Sequence, residues 1–524
     1  MRPGLWSNLS LSSGKGHQAC VFGTSTSSWQ IYFLTMDPST SFQNLQLQLP
    51  SLGEPTGGDP ISRSVSPAKR KGIVVFSGGS AANSLVDVFK SVTESNQCRL
   101  SYVIPISDNG GSSSELIRVF GGPGIGDVRS RLVRLIPVNG EDPEKIAIRT
   151  FFNYRLPTDS DAARHEWLDI VEARHPLWND ISSEKKELIR SFLNWLNLDI
   201  VKRARPSSTF NFSHASIGNM FLTGARVFTG SFESAIYLLS SICRLPDNVS
   251  VLPAINTNFT HHISAGLADG ITIVGQNAIS HPSVPTRLPG AVSSPGREIE
   301  DHDFIEDANL PGSLPTLRKQ YISFSKAAGE DLPARIERIW YINPYGQEIR
   351  LNANAKVVEA LDSAQSIIFS IGSLYTSIIP SLILRGVGEA IASSSIRHKI
   401  LILNSTNDRE TGPSSHPFTA IDFIAAIAKA CSESRGFQGS VSRHEYKAYI
   451  THLIHLAGPN TPKVDKEELA SLGIESIRLY GRPIGEGGKI FKYDEKALFQ
   501  ALEATIGRRD PRGDRSRRNT LDYF

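Results

Sequence analysis

Residues 106–116, ISDNGGSSSEL, place a carboxylate, an amide, two glycines and three serines directly after the apolar run YVIPI. A simple turn needs only one or two residues of these types. A carboxylate at a strand end, here Asp108, can hold Mg²⁺, and glycine amides followed by serines at a helix start suit a phosphate. The alternative is that Asp108 and Ser113 only cap a helix. The predicted phosphate-binding residues are Asn109, Gly110, Gly111, Ser112 and Ser113.

A second glycine-rich loop, FSGGSAAN at residues 76–83, follows an apolar run and precedes a helical pattern. A helix N-terminus offers unpaired amides and a partial positive charge, which favour a phosphate there. The loop lacks the GK[ST] of a Walker A motif and is not a GxGxxG fingerprint. A tight turn without a ligand is the alternative. The predicted phosphate-binding residues are Gly78, Gly79, Ser80 and Asn83.

Residues 124–136, GIGDVRSRLVRLI, add an acid and three arginines. Arginine is the usual fork-shaped partner of phosphate, so Arg129 is predicted to stabilise charge on phosphoryl oxygens, with Asp127 near the metal. Arg131 and Arg134 are three residues apart and therefore share one helix face. The alternative is an amphipathic helix whose basic edge is solvated.

The segment FNFSHASIGNM, residues 210–220, places a histidine, serines and an asparagine around a helix start. His214 is a candidate general acid or base, and Asn219 is a candidate phosphate ligand. A lone histidine is more often a structural residue or a cap, and that alternative stays open here.

Four strand–loop–helix units alternate along the chain, which predicts an α/β, Rossmann-like, doubly wound and mainly parallel sheet. Ligands of such sheets bind outside the carboxyl ends of the strands. The loops SGGS, SDNGGSSS, SIGS and NSTND all fall at that edge. Gly372 and Ser373 in SIGS join the predicted nucleotide-binding residues.

The domain prediction has one main domain, residues 71–507, with two insertions. Residues 141–205 have helical spacing and indicate a helical subdomain, and residues 280–335 are proline-rich and acidic and indicate a long surface loop. Residues 1–70 are predicted to be a disordered extension, and residues 1–35 are left out of the fold prediction because Met36 resembles a natural start. Residues 508–524 are predicted to be a basic disordered tail.

Charge and composition exclude several classes of protein. The formal net charge is +3, and the tail carries an excess of that size, so the body lacks the basic face of a nucleic-acid-binding protein. The four cysteines form no CxxC pair, which argues against a zinc site or a disulfide framework. Residues 363–384 are uncharged, but Gly372 and Pro380 interrupt them, so a strand, a loop and a buried helix fit better than a membrane span. A cytoplasmic protein is expected, and a homodimer is a further possibility.

Six motifs together resemble the CofD-like family, which includes 2-phospholactate transferases and the YvcK-type gluconeogenesis factors. They are VVFSGGSAAN, ISDNGGSSSELI, GPGIGDVRSRL, SHASIGNMFLTG, VLPAINTN and SIGSLYTSIIPSLILRGVGEAI, in that order, and the resemblance covers roughly residues 72–505. The extension and insertions indicate a eukaryotic, fungal-like member. The chain differs from the family pattern at Ser80-Ala81, where Thr-Gly is usual, at Asn109, where a second Asp is usual, and in SIGS, where the gluconeogenesis factors have GPGS.

The resemblance implies a Rossmann-like domain that binds a GDP- or UDP-type nucleotide diphosphate conjugate. Transferases of the family move a 2-phospholactyl group to an alcohol with the assistance of Mg²⁺, whereas the gluconeogenesis factors are thought to bind a nucleotide sugar as regulators. On the first reading Asp108 and Asp127 hold the metal, and Asp108, Asp127, Arg129 and His214 form the catalytic set. On the second the same loops only bind the ligand, and Asn109 in place of an acid favours this reading. A third reading is an α/β scaffold with vestigial loops.

Overall fold

The computed structural model describes residues 20–25, 28–33, 72–108, 110–137, 142–204, 209–281, 314, 331–458, 460–484 and 490–507. The chain forms two units, Met1–Val65 and Ser66–Phe524. In the first unit, strands β1 (Cys20–Ser25) and β2 (Ser28–Phe33) pair antiparallel. The sequence predicts no regular structure there, and the difference is explained by the aromatic and β-branched residues Val21, Trp29 and Ile31, which favour strands.

The second unit contains the remaining strands. In chain order they are β3 (Gly72–Phe76), β4 (Leu100–Ile104), β5 (Val249–Pro253), β6 (His262–Leu267), β7 (Thr272–Val274), β8 (Ile336–Ile342), β9 (Glu348–Ile349), β10 (Ala364–Phe369), β11 (His398–Ile402), β12 (His452–Leu456), β13 (Glu475–Leu479), β14 (Gly481–Ile484) and β15 (Ile490–Tyr493). The last two form a hairpin.

Helices flank these strands in the second unit. They are α1 (Val86–Asn96), α2 (Ser112–Phe120), α3 (Gly126–Arg134), α4 (Pro143–Asn153), α5 (Ser160–Val171), α6 (Ser183–Arg203), α7 (Ile217–Thr229), α8 (Phe232–Ile242), α9 (Gln276–Ser280), α10 (Ala355–Asp362), α11 (Ile379–Leu382), α12 (Val387–Ala392), α13 (Ala420–Ser434), α14 (Lys466–Ser471) and α15 (Glu495–Ile506).

A seven-stranded parallel sheet in the order β13-β12-β11-β10-β3-β4-β5 forms the centre of this unit. The chain builds outward from β3, first through β4 to β5 and later through β10 to β13. The strand order therefore reverses between β3 and β10, and ligands of parallel sheets bind at such a switch point. The predicted Rossmann-like α/β fold is confirmed.

The central strands are short apolar runs because both sheet faces are covered. Ile73, Val74, Val75 and Phe76 in β3 are buried, and the Phe76 ring stacks on Phe369 of β10 with centroids 5.6 Å apart. This packing holds the first strands on either side of the switch point together, so the loops that follow them start from fixed positions.

A second, antiparallel sheet in the order β7-β6-β8-β9 was not foreseen from the sequence. Two of its strands lie on either side of the proline-rich insertion, so the sequence gives no sign that they pair. The uncharged stretch 363–384 forms β10, a turn and the short helices Leu374–Ile378 and Ile379–Leu382. None of the described helices has the length and apolar character needed to cross a bilayer.

Helices α4, α5 and α6 lie in residues 141–205, and α6 packs against α7. Most of the predicted insertion 280–335 lies outside the described residues, as does the predicted tail 508–524. The domain boundaries at these places stay predictions.

Candidate functional site

A buried arginine, Arg131, holds the loop after β3 in place through hydrogen bonds. Arg131 has no exposed surface; its guanidinium donates to Ser77 Oγ at 3.2 Å and to the Gly78 carbonyl at 3.1 Å, and lies 4.5 Å over the Tyr102 ring. Arg134, by contrast, forms an ion pair with Asp87 at the surface. The shared helix face therefore does not give the two arginines one environment: Arg131 extends into the core, and Arg134, the last residue of α3, extends toward solvent.

Glycines 78 and 79 are buried and closely packed, which explains why the loop needs them. A Cβ at Gly79 would lie 2.2 Å from Asp127 Oδ1, and a Cβ at Gly78 would lie 2.5 Å from Ser377 Oγ. The loop after β3 thus touches both the first turn of α3 and the helical segment after β10. Of the other predicted residues in this loop, Ser80 is exposed, and Asn83 donates to Ser130 Oγ at 2.9 Å.

Asp108 and Asp127 form an interacting pair of carboxylates. Burial is the main cause that raises the pKa of Asp127 to about 7, and the Asp108 carboxylate adds to it; Arg131 opposes the shift. Burial also raises the pKa of Asp108, against a hydrogen bond of 3.0 Å from the Gly110 amide and the charge of Arg155. The Asp108 charge thus disfavours ionisation of Asp127, an effect that a cation between the two carboxylates would offset.

The start of α2 and the start of α3 meet at Asp108. A Cβ at Gly126 would lie 2.8 Å from Asp108 Oδ2 and 3.1 Å from Ser113 Oγ. Gly111, directly before α2, has φ +54° and open space around its Cα. The structure therefore places Asp108, Gly110, Gly111 and Ser113 together, as predicted. Asn109 lies outside the described residues.

A chain of hydrogen bonds joins four helices, α2, α3, α4 and α7, behind this loop. Arg129 Nε donates to Asn219 Oδ1 at 3.2 Å, and Asn219 Nδ2 donates to Ser112 Oγ at 3.2 Å. Arg129 Nη1 also donates to Asn153 Oδ1 at 3.1 Å. Burial lowers the pKa of Arg129 to about 10, with Arg155 adding to the shift. Three of the predicted residues thus belong to one network.

Arg155 was missed by the sequence reasoning. It follows α4 in NYRLP, forms an isolated antiparallel bridge with Ser216, and donates from Nη1 to the His214 carbonyl at 3.3 Å. Its charge acts on both Asp108 and Arg129. No sequence pattern marks a single arginine after a helix, so only the tertiary bridge could have revealed it.

His214 occupies a backbone conformation that non-glycine residues rarely adopt, with φ +56°. Its amide donates to the Pro157 carbonyl at 3.0 Å, and its own carbonyl accepts from Arg155. Strained residues of this kind cluster at functional sites. The residue lies three positions before the start of α7, beside the Arg129–Asn219 network.

The loop after β10 is tied to the loop after β11. Gly372, at φ +147°, donates from its amide to Asn404 Oδ1 at 2.9 Å, and Asn404 Nδ2 donates back to the Gly372 carbonyl at 2.8 Å. Ser373 precedes the helical segment Leu374–Ile378 and hydrogen-bonds to Asp408. The two predicted residues of this loop therefore border the switch point, opposite the loop after β3.

A second acidic pair, Asp408 and Glu410, lies at this side and was not selected from the sequence. Glu410 is buried and accepts from the Tyr375 amide at 2.8 Å, the Thr376 amide at 3.0 Å and Thr376 Oγ1 at 2.6 Å. Burial and the neighbouring Asp408 raise the pKa of Glu410 to about 8. Asp408 is the last residue of NSTND, which follows β11. An acid after a strand is the feature from which Asp108 was predicted, so the same feature indicates Asp408.

The carboxylates of Asp108 and Asp127 could hold a divalent cation whose other coordination positions stay open for water or substrate. Among the described residues, no group of three or more His, Cys, Asp or Glu side chains is placed so that it could hold a metal ion. Mg²⁺ is commonly held by one or two carboxylates, with water and substrate phosphates completing its octahedron. Asp108 and Asp127 match that chemistry, and a positive charge between them would offset the effect of Asp108 on the pKa of Asp127.

Comparison with known proteins identifies the family of this chain. The family model described as 2-phospho-L-lactate transferase CofD matches residues 73–479. An uncharacterised protein of Saccharomyces cerevisiae is 39% identical over 73% of this chain and 90% of its own length. The gluconeogenesis factor of Halalkalibacterium halodurans is 23% identical over 79% of this chain and 90% of its own length.

A crystal structure of a protein from Bacillus halodurans superimposes with a TM-score of 0.51 and 19% identity, covering 83% of this chain and 99% of that one. At this identity the likeness supports the fold alone. The match of the family model over most of the chain, with the yeast relative, shows that the chain belongs to the CofD family.

Proposed function

We propose that the protein transfers a substituted phosphate group, similar to 2-phospholactyl, from a nucleotide diphosphate conjugate to an alcohol with the assistance of Mg²⁺. The observation that carries the proposal is the Asp108–Asp127 carboxylate pair, which lies against the glycine loop after β3 at the switch point of the sheet. A carboxylate pair beside a glycine loop is suited to metal-assisted phosphoryl transfer, in which a metal neutralises charge on the phosphate and backbone groups position it.

The proposed reaction is a displacement at phosphorus. The acceptor oxygen forms a bond to the phosphorus of the transferred group, and the bond from that phosphorus to the bridging oxygen breaks. Nucleoside monophosphate leaves with that oxygen, and the hydroxyl proton passes to a base, for which His214 is the candidate. Mg²⁺ held by Asp108 and Asp127 would supply charge neutralisation and polarise the donor phosphate.

The protein's own residues then have separate tasks. Gly78 and Gly79 let the loop after β3 pack against Ser377 and Asp127, which brings its backbone next to a candidate metal ligand. Arg129 is anchored by two amide oxygens, and no described residue accepts a hydrogen bond from its Nη2. A guanidinium fixed in this way is suited to stabilise charge on phosphoryl oxygens without moving during the reaction.

The test is release of nucleoside monophosphate from GDP and UDP conjugates, with an alcohol acceptor, in the presence and absence of Mg²⁺. Asp108→Asn is the informative variant because the Asn side-chain oxygen can accept the Gly110 hydrogen bond as Asp does. The variant is expected to fold and to lose Mg²⁺-dependent release. If it retains full release, Asp108 is not the metal ligand.

A second candidate function is a nucleotide-sugar-binding regulator on the same scaffold. The observation that favours it is that relatives of the chain are named gluconeogenesis factor in both Halalkalibacterium halodurans and Bacillus subtilis. A regulator would bind nucleotide conjugates, and a ligand concentration of a hundred times the dissociation constant would raise the free energy of unfolding by about 2.7 kcal/mol. It would release no nucleoside monophosphate from any of these conjugates.

A further inference from the structure

We propose that the outward face of α6 is a homodimer interface, at which α6 of a second copy of this chain packs antiparallel across a two-fold axis. The inference is independent of the function proposed above, because none of the residues on which it rests belongs to the candidate site. It assigns a partner to a surface of the helical region 141–205.

Helix α6 is apolar on two opposite faces. The inward face is buried in the protein and carries Ile189, Phe192, Leu193, Leu196 and Ile200. The outward face carries four exposed apolar side chains, Leu188 (39% exposed), Trp195 (39%), Leu198 (48%) and Val201 (64%). A helix that packs on one side only needs a single apolar stripe. The second stripe therefore calls for a partner that the described part of the chain does not supply.

Exposed apolar side chains concentrate on this part of the surface. Among the described residues eleven large apolar side chains are exposed, and five belong to this patch, the four on α6 and Phe228 of α7. The Phe228 ring meets the Trp195 ring edge-on, with centroids 5.3 Å apart. Single exposed apolar residues are normal on a protein surface, whereas contiguous patches mark interaction sites.

Helix α7 supports the outward face from behind. The Phe192 ring on the inward side of α6 contacts Phe221 and Phe228 of α7 edge-on, with centroids 5.6 and 5.5 Å apart. Gly224 of α7 permits this close approach, since a Cβ there would lie 2.5 Å from the Phe192 carbonyl oxygen. The face is therefore held in place before a partner binds, which reduces the entropy lost on association.

Six exposed residues of α6 follow the spacing of a helix–helix seam, alternately four and three residues apart. In chain order they are Glu184, Leu188, Ser191, Trp195, Leu198 and Lys202. Side chains at this spacing form one row along a helix, and this row contacts the partner helix in a coiled coil. These six residues are termed the α6 seam.

The α6 seam is complementary to its own reverse. A two-fold axis level with the middle of the seam places Leu188 opposite Leu198 of the partner subunit, and Ser191 opposite Trp195 of the partner subunit. Leucine thus meets leucine, and the large indole meets a small side chain, which lets the two helices approach. Each contact occurs twice, as in the isologous interface of a two-fold dimer.

The charges at the two ends of the seam favour the antiparallel arrangement. The same axis brings Glu184, in the first turn of α6, opposite Lys202 of the partner subunit, in the last turn. In a parallel pair each residue would face its own copy, so like charges would meet at both ends. Antiparallel packing also brings opposite ends of the helix dipoles together. Because charge and side-chain size both match α6 itself, the occupant is a second copy of this chain.

The test is the oligomeric state of the full-length protein, measured by sedimentation velocity from about 1 to about 100 µM, the range in which modest interfaces dissociate. We expect the wild type to dimerise within this range. Leu198→Glu keeps a good helix former but places a charge against Leu188 of the partner subunit, and should raise the dimer dissociation constant at least about tenfold. Ile146→Glu is the matched control, since Ile146 is 44% exposed on α4, outside the seam.

A pair of charge reversals tests the register. Glu184→Lys alone and Lys202→Glu alone each place like charges opposite each other twice in a dimer, and each should weaken dimerisation about tenfold. Mixed in equal amounts, the two variants should form a heterodimer with the affinity of the wild type, because a glutamate then faces a lysine at both ends of the seam.

Three results would overturn the proposal: a wild type that stays monomeric over this range, a dimer that Leu198→Glu leaves intact, or a mixture of the charge variants that dimerises no better than either alone. A monomeric wild type whose melting temperature falls in Leu198→Glu but not in Ile146→Glu would show that another segment of the same chain covers this face. If Leu198→Glu does not fold, the charge variants still decide, because both residues are exposed. Release of nucleoside monophosphate does not enter these measurements, so they stand or fall apart from the transferase proposal.

Discussion

Asp127 lies directly against the backbone of Gly79. A Cβ at Gly79 would come within 2.2 Å of Asp127 Oδ1 and within 2.9 Å of Asp127 Cα. Because the second of these contacts is with the backbone of α3, a rotation of the Asp127 side chain cannot relieve both. The contact therefore couples the candidate phosphate-binding loop to a candidate metal ligand, and a change at one residue must displace the other.

Gly79→Ala is expected to weaken Mg²⁺-dependent nucleotide binding at least tenfold and to lower the free energy of unfolding by about 1–3 kcal/mol, the usual penalty of overpacking. Calorimetric titration and urea unfolding measure the two effects. Gly270→Asn is the control, because Gly270 has open space around it and a φ of +86° that Asn tolerates. Unchanged nucleotide affinity in Gly79→Ala would place the phosphate site elsewhere.

The Asp127 carboxyl makes stability depend on pH in a predictable direction. Its pKa is raised from 3.8 to about 7 in the folded protein, so between these values the native state binds more protons than the unfolded state. The stabilisation from the protonated carboxyl is therefore complete below about pH 4 and is lost as the pH rises toward 7. Without Mg²⁺, the unfolding free energy of the wild type should fall relative to that of Asp127→Asn across this window.

Mg²⁺ should reverse this trend. The cation binds the ionised carboxylate, so its affinity rises with pH through the same window, and its addition at pH 7 should stabilise the wild type more than Asp127→Asn. Unfolding curves at pH 5 and pH 7, with and without Mg²⁺, provide the four measurements. An equal effect of Mg²⁺ on both proteins would show that Asp127 is not a ligand.

Arg131→Met is expected to destabilise the protein by about 3–5 kcal/mol. The change removes the donors that hold Ser77 and Gly78 and leaves buried acceptors unpaired. Arg134→Met is a matched control three residues away, where the exposed ion pair with Asp87 contributes about 0–1 kcal/mol. Urea unfolding of the two variants should differ accordingly, and equal, small losses would disprove the supporting role of Arg131.

The sequence predicted those parts of the fold and site that depend on local pattern. Apolar runs followed by polar loops located β3, β4, β10 and β11, and hence the loops at the switch point. The pairing of β6 with β8 could not be predicted because a long insertion separates the two strands. Arg155 and Glu410 were missed for a related reason: each acquires its role from a contact made across the chain, with Ser216 in one case and Thr376 in the other.

Glu410 offers a test of the opposite side of the switch point. It accepts three hydrogen bonds from Tyr375 and Thr376, and thereby holds the helical segment that directly follows Ser373. Its pKa is raised from 4.5 to about 8 by burial and by Asp408. The native state therefore binds the extra proton between these values, and the stability that it provides is lost as the pH rises through this window.

Glu410→Gln should remove this pH dependence without removing the contacts. Its amide oxygen can accept from the two backbone amides, and its NH₂ group can donate to the Thr376 hydroxyl, which rotates to accept. We expect it to match the wild type near pH 5 and to exceed it in unfolding free energy at pH 8. Glu410→Ala removes all three acceptors and should cost about 2–4 kcal/mol at both pH values. Urea unfolding at pH 5 and pH 8 measures these differences. Parallel pH profiles of the unfolding free energy for the wild type and Glu410→Gln would show that Glu410 ionises normally in the folded protein.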